Sequence, residues 1–191
     1  MASLAQVNMN MFGVDVERRA DESIILSCPE PLAPLPSSIV SMLRNHAADR
    51  AAEKALAVSR GEGEVVLAGD TTVAVGRRIL PQAESEADVA RFLRLLSGRR
   101  HRVHSAISVI DAQGRQRVRC ASSQVRFKSL CDEEIAAYAA SGEGIGKAGG
   151  YAIQGRAAGL IDFLSGTHSG VVGLPLFDTR ALLKAAGIAV G

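Results

Sequence analysis

The chain has 191 residues, 47% of them hydrophobic and 22% charged. That length suits one domain with its own core, and the balance excludes collagen-like and wholly disordered chains. Lys and Arg number 22 against 20 Asp and Glu, a net charge of +2, so no global basic field marks a nucleic-acid binder.

The ends of the chain differ in style. All four Met (Met1, Met9, Met11, Met42) lie in the first quarter, with four of the six prolines. No apolar run approaches the roughly 18 residues of a membrane span. The first twenty residues lack a basic segment leading into an apolar one, so no secretory leader is expected. Cys28, Cys120 and Cys131 fit neither a disulfide framework nor a zinc site. They are expected as buried or half-buried thiols in a reducing cytosol. His46, His101, His104 and His168 lack paired-ligand spacing and read as packing or surface residues.

In chain order, Phe12–Val16 and Ser23–Ser27 alternate like short strands, and Pro29, Pro31, Pro34 and Pro36 then forbid regular structure. A long helix starts at Ser37 or Ser38. Ile39, Leu43, Ala47, Ala51, Ala55 and Val58 form its apolar stripe, and Gly61 lies past its end. Glu64–Ala68 reads as a buried strand that Gly69-Asp70 interrupts. Thr71–Val75 resumes it or starts a second one, and Gly76-Arg77 turns the chain. Ser85 with Asp88 is a capping-box-like start for a helix that buries Val89, Phe92, Leu93 and Leu96 and closes at Gly98. Val103–Ile110 and Arg115–Phe127 predict a hairpin around Asp111–Gly114. Residues 98–128 hold eight Lys or Arg and one acid. Arg115, Arg117 and Arg119 share one strand face, either solvated or open to a polyanion. A helix over Asp132–Ala140, a Gly-rich loop from Gly142 to Gly155, a strand over Ala157–Phe163, a turn over Ser165–Gly170 and a helix over Asp178–Ala186 complete the chain. This alternation implies an α/β or α+β domain.

Two motifs fail in the Gly-rich loop. Gly144, Gly146 and Gly149 match G-x-G-x-x-G but follow a helix and open none. Gly146-Lys147 resembles the end of a Walker A, yet Ser141 and Ala148 stand where Gly and Ser/Thr belong. A glycine-lined anion cradle with Lys147 beside it, or a flexible surface loop, both remain open. Asp70 is sharper, because a carboxylate at the end of an apolar strand suits a cation or a water. A turn residue is its plain alternative. Lys54 borders the stripe of the first helix as a snorkelling lysine or a ligand.

Five ordered blocks resemble the Maf family of nucleoside triphosphate pyrophosphatases: Val66–Leu80, Leu95–Gly98 with Val103, Ser141–Glu143, Gly146–Gly155 and Val171–Leu176. The resemblance implies a single domain over 1–191, with 1–36 a divergent segment and 37–191 the recognisable core. It implies an α/β fold related to inosine triphosphatases, with a mixed twisted sheet, flanking helices and two lobes around a nucleotide cleft. It also implies a divalent cation (Mg²⁺ or Mn²⁺), a homodimer, a cytoplasmic location, and neither membrane nor nucleic-acid polymer as partner. Asp70 takes the place of the family's proton acceptor for the attacking water. Lys54 and Lys147 match its helix and loop lysines, and Gln82 stands where a further lysine is expected. Thr71 and Gln154 match positions that mark the branch hydrolysing dTTP and UTP to the monophosphate and pyrophosphate.

The start of the chain departs from this pattern. The family's Ser-x-x-Arg-Arg is absent from Met1–Met11, and Ser27–Pro31 echoes it with Glu30 and Pro31 in place of arginines. Gly13–Val16 with Ala20–Glu22 matches the next family segment, which makes Glu22 a counterpart of its acid. The family's Ala-Asp-Thr is Gly69-Asp70-Thr71, and its Ser-Tyr-Ser-Asn is Thr167–Gly170. Losing three phosphate contacts at about 1.5–3 kcal/mol each costs on the order of 10³ to 10⁶ in rate, unless Arg18, Arg19, Arg77, Arg78, Arg99 or Arg100 compensates. The alternative is a weakened or inactive homologue that binds nucleotide or a partner protein.

Overall fold

A computed structural model describes residues 15–18, 24–27 and 37–190. Glu22, Phe12–Val14 and the proline cluster lie outside the described residues. Among the described residues seven strands form one sheet: β1 (Asp15–Arg18), β2 (Ile24–Ser27), β3 (Val66–Val75), β4 (Arg78–Leu80), β5 (Arg100–Ile110), β6 (Gln116–Phe127) and β7 (Ile161–Ser165). Their order is β1-β2-β4-β3-β5-β6-β7, with antiparallel neighbours throughout. Five α-helices accompany it among the described residues: α1 (Ser37–Leu56), α2 (Glu86–Leu96), α3 (Asp132–Ala140), α4 (His168–Val172) and α5 (Leu176–Ala185). None is long and apolar enough to cross a membrane.

Gly69-Asp70 does not interrupt β3. The strand runs unbroken because it pairs with β5 at nine successive positions, from Val66–Ile110 to Ala74–Arg102. That ladder outweighs the local turn preference of Gly and Asp. The strand expected over Ala157–Phe163 also shifts. Arg156–Leu160 is a 3₁₀ turn, and pairing with β6 starts at Ile161. Glu143 accepts the Arg156 amide at 2.7 Å, which bends the chain there. The turn expected over Ser165–Gly170 holds the start of α4, where Thr167 accepts the Gly170 amide at 3.0 Å.

Each face of the sheet carries helices. Ile39, Leu43, Ala47, Ala51 and Ala55 of α1 are buried, and their targets include Ala74, Ala106, Val66 and Ile110. The alanines let helix and sheet approach closely. Val58 lies beyond the helix and is exposed, so it is not part of the stripe. The opposite face buries Val73, Val75, Val103, Val125 and Phe127 against α2 and α3, and Ile107 and Val109 against Leu182 of α5. Ser85 caps α2 by accepting the Asp88 amide at 3.2 Å and donating to Asp88 Oδ2 at 3.0 Å.

The arginine stripe neutralises an internal charge. Arg115 and Arg117 each donate to Asp111 Oδ2 at 2.9 Å, and Arg60 donates to the Asp111 carbonyl. Burial pushes the Asp111 carboxyl up, but the Arg115 amide and both guanidiniums more than offset this and lower it to about 2. Arg119 lies 3.9 Å from Asp178. The structure therefore gives no reason to read a polyanion site here. Cys120 is half-buried, but Cys131 is exposed, contrary to expectation, and both are free.

The Gly-rich loop is pinned, not flexible. The Ala83 amide donates to the Lys147 carbonyl, the Gly146 amide to Ala83 and the Gly149 amide to Pro81, at 3.1, 2.7 and 3.0 Å. Gly149 has φ +73°, and a Cβ there would lie 2.8 Å from Val73 Cγ1. Gly146 has φ +74° with nothing within 4 Å of such a Cβ. Gly149→Ala is therefore expected to cost about 2–5 kcal/mol in denaturant unfolding, overpacking and left-handed backbone together. Gly146→Ala should cost at most about 1–2 kcal/mol, the left-handed backbone alone. Equal costs would contradict the packing.

His101 and His104 are buried in the sheet, His46 is half-buried and His168 exposed. Burial lowers His101 to about 4. Burial, with Arg102 and Arg44 nearby, lowers His104 to about 4. An unfolded chain protonates histidine near pH 6.5. Between about pH 6.5 and 4 the unfolded state therefore binds more protons than the fold, and stability falls as pH falls. Melting temperature is expected to decline steadily across that window, and His104→Asn should flatten part of the decline. A flat profile for the native chain would contradict the two buried neutral rings.

Candidate active site

Along β3, β4 pairs with Val73–Val75 alone. Among the described residues, the remaining edge of β3 away from β5 carries no strand, and a cleft of about 330 Å³ opens there. Lys54, Asp70, Thr71, Gln82 and Lys147 all line it. They come from α1, β3, the segment after β4 and the Gly-rich loop. Residues as much as 93 positions apart in sequence thus share one cavity.

The shortest polar contact in the cleft is Lys54 Nζ to Asp70 Oδ1, at 2.5 Å. Lys54 stands in the last turn of α1, over the β3 face that Asp70 occupies. Its side chain is 48% exposed and that of Asp70 16%, so the carboxylate is sheltered while the amine reaches solvent. Strand alternation sends Thr71 to the other face. There Thr71 Oγ1 lies 2.9 Å from Ser105 Oγ. Val73, Tyr151, Val171, Val172 and Leu174 give the cleft an apolar wall. Tyr151 is anchored from behind by His101 Nε2 at 2.7 Å from its hydroxyl, and burial pushes that hydroxyl above its usual range.

The anion-cradle reading of the loop meets a limit. The amides of Ile145, Gly146, Lys147, Gly149 and Gly150 each donate to a backbone carbonyl. What the loop offers an anion is chiefly the Lys147 side chain. Gln82 is exposed at the rim, and its backbone bridges to Ala148. Gln154 is exposed and does not line the cleft. Arg77, Arg78, Arg99 and Arg100 do not line it either, Arg19 lies outside the described residues, and of Arg18 only the backbone is described. Lys54 and Lys147 against Asp70 leave a formal charge of +1 on the described lining.

Sequence reasoning passed over Ser105, Tyr151 and the wall from Val171 to Leu174. Tyr151 and Val171–Leu174 fall inside the recognised blocks, which was the available signal. Ser105 carried none. Among the described residues no three His, Cys, Asp or Glu gather as a metal cage, and Asp70 is the only carboxylate lining the cleft. A second hollow, of about 450 Å³, lies between α2 and the start of α3. Its only lining cation, Arg94, sits 3.6 Å from Asp132, so it lacks the facing charges of the β3 cleft.

The chain is similar to curated proteins across most of its length. It is 60% identical over 148 residues to a dTTP/UTP pyrophosphatase of Sphingopyxis alaskensis, covering 78% of each chain. It is 59% identical over 148 residues to one of Novosphingobium aromaticivorans, covering 77% of this chain and 74% of that one. It is 52% identical over 145 residues to one of Caulobacter vibrioides, covering 75% of each. The family described as Maf-like protein matches residues 14–186. With the β3-edge cleft inside that match, the chain belongs to the Maf-like protein family.

Proposed function

We propose that the chain hydrolyses dTTP and UTP to the monophosphate and pyrophosphate. The observation that carries this is the Lys54–Asp70 pair, set in one cleft with Lys147 and an apolar wall. The activity for which these relatives are named agrees with it. The reaction needs a directed water at the α-phosphorus, neutralised phosphate charge and a leaving pyrophosphate. The Lys54 amine holds Asp70 Oδ1. Asp70 Oδ2 is left to take the proton of the water as it attacks. Lys54 and Lys147 meet phosphate oxygens as point charges. The wall around Tyr151 takes the base.

The donor set also fits a divalent cation of the Mg²⁺ or Mn²⁺ class. Asp70 supplies one carboxylate, and a triphosphate supplies further oxygens, the usual way Mg²⁺ is held in nucleotide sites. Such an ion would add positive charge at the phosphates. We place the enzyme in the cytoplasm, which suits its free thiols, and as a homodimer. Light scattering at about twice the 20.0 kDa chain mass tests the latter.

Gln82 favours a second reading, a weakened enzyme. It lines the cleft where the family pattern expects lysine, and the described lining carries a formal charge of only +1.

Pyrophosphate release across a nucleotide panel with Mg²⁺ or Mn²⁺ is the test. Turnover is expected with dTTP and UTP, and Asp70→Asn should lower kcat by about 10²–10⁴. No turnover above that variant would overturn the proposal. Lys54→Met should cost about 10- to 100-fold in kcat/KM through a lost charged contact. Gln82→Lys should raise kcat/KM by about tenfold or more; an unchanged value would remove Gln82 as a cause of weak activity.

A further inference from the structure

We propose that Ser105 is a positioning residue that aims the Thr71 hydroxyl hydrogen into the cleft, toward a carbonyl oxygen on the substrate's pyrimidine ring. The inference rests on the nucleotide reading above and extends it to how the base is chosen. Ser105 lies directly across the β3–β5 ladder from Thr71. It is 1% exposed, and its hydroxyl lies 2.9 Å from that of Thr71. Thr71 is the only hydrogen-bond partner of that hydroxyl among the described residues.

This isolation sets the direction of the bond. A hydroxyl has one hydrogen to donate and can accept as well. If Thr71 donated, the Ser105 hydrogen would be buried with nothing to meet, at full desolvation cost. Ser105 therefore donates and Thr71 accepts, leaving the Thr71 hydrogen for the cleft that Thr71 lines. Gly173 keeps that approach open, since a Cβ there would sit 3.1 Å from Thr71 Oγ1.

The surroundings identify what the hydrogen meets. Asp70 and Lys54 occupy one face of β3. Thr71 shares the other with Val73, beside Tyr151 and Val171. Phosphates suit the charged side, and a flat ring suits the apolar side. A fixed donor there donates to the carbonyl that uracil and thymine carry at C4 and opposes the amine that cytosine carries in its place. A freely rotating hydroxyl would donate to one and accept from the other, and would not discriminate.

The test compares UTP and CTP by turnover and, with non-hydrolysable analogues, by calorimetric binding. The native chain is expected to favour the uracil nucleotide. Ser105→Ala should lower the UTP to CTP ratio of kcat/KM by about tenfold, mainly through KM, with an unchanged melting temperature. Thr71→Val should give the same loss, the double variant no further loss, and Ser105→Thr, which keeps the hydroxyl, a retained preference. An unchanged ratio in Ser105→Ala, or an equal fall for both nucleotides, would overturn the inference. A Ser105-dependent binding preference without turnover would overturn the hydrolase reading alone. Turnover with a ratio indifferent to Ser105 would overturn this inference alone, and binding of neither analogue would overturn both.

Discussion

β3 is paired along nearly all of one edge and along only three residues of the other. Everything that resembles a site depends on this asymmetry. The β5 side holds the strand straight through Gly69-Asp70, which local preference alone would have turned. The open side leaves room for side chains from α1, the Gly-rich loop and the end of α4 to converge. An edge strand is ordinarily a hazard because its backbone groups invite pairing. Here α1 and the pinned loop flank the open stretch, and the space left between them is the cleft.

Strand alternation then divides the labour. Neighbouring residues on β3 face opposite sides, so the carboxylate at Asp70 meets Lys54 under α1 while the hydroxyl at Thr71 meets Ser105. One residue of register separates a charged environment from an apolar one. A slip of one position would exchange them, and the ladder to β5 prevents that slip. The loop lysine depends on a different restraint. Pro81–Ala83 hold the backbone of Gly146–Gly149 by three hydrogen bonds, so Lys147 projects from a fixed frame. Gln82 sits in that frame as well, which links the geometry of the loop to the residue at the family's lysine position.

Charge is distributed unevenly over the fold. Arg115, just before β6, and Arg117 within it both pair with Asp111, a carboxylate with no exposed surface, while Arg119 and Arg126 face Asp178 and Asp162. Arg115 and Arg117 secure the β5–β6 turn and do not lend positive charge to the cleft. The described cleft lining is left with two lysines and one aspartate. That modest balance sharpens the importance of Gln82.

Helical periodicity, capping residues and the hairpin turn made α1, α2, α3 and the β5–β6 pair legible from the residues alone, because those signals are local. The recognised blocks likewise pointed to Lys54, Asp70, Thr71, Gln82 and Lys147, which the structure gathers in one cleft, and to Gln154, which it does not place there. Three matters were decided only by tertiary contact. The continuity of β3 comes from its partner strand. The occupancy of the loop amides comes from Pro81–Ala83. The orientation of Thr71 comes from Ser105, 34 residues away. The sequence by itself determined which chemical groups the chain can bring to a cleft, since composition and local spacing are written residue by residue. The tertiary structure decided which of them meet and which way their hydrogens face, because pairing register and burial arise between segments that no local pattern connects.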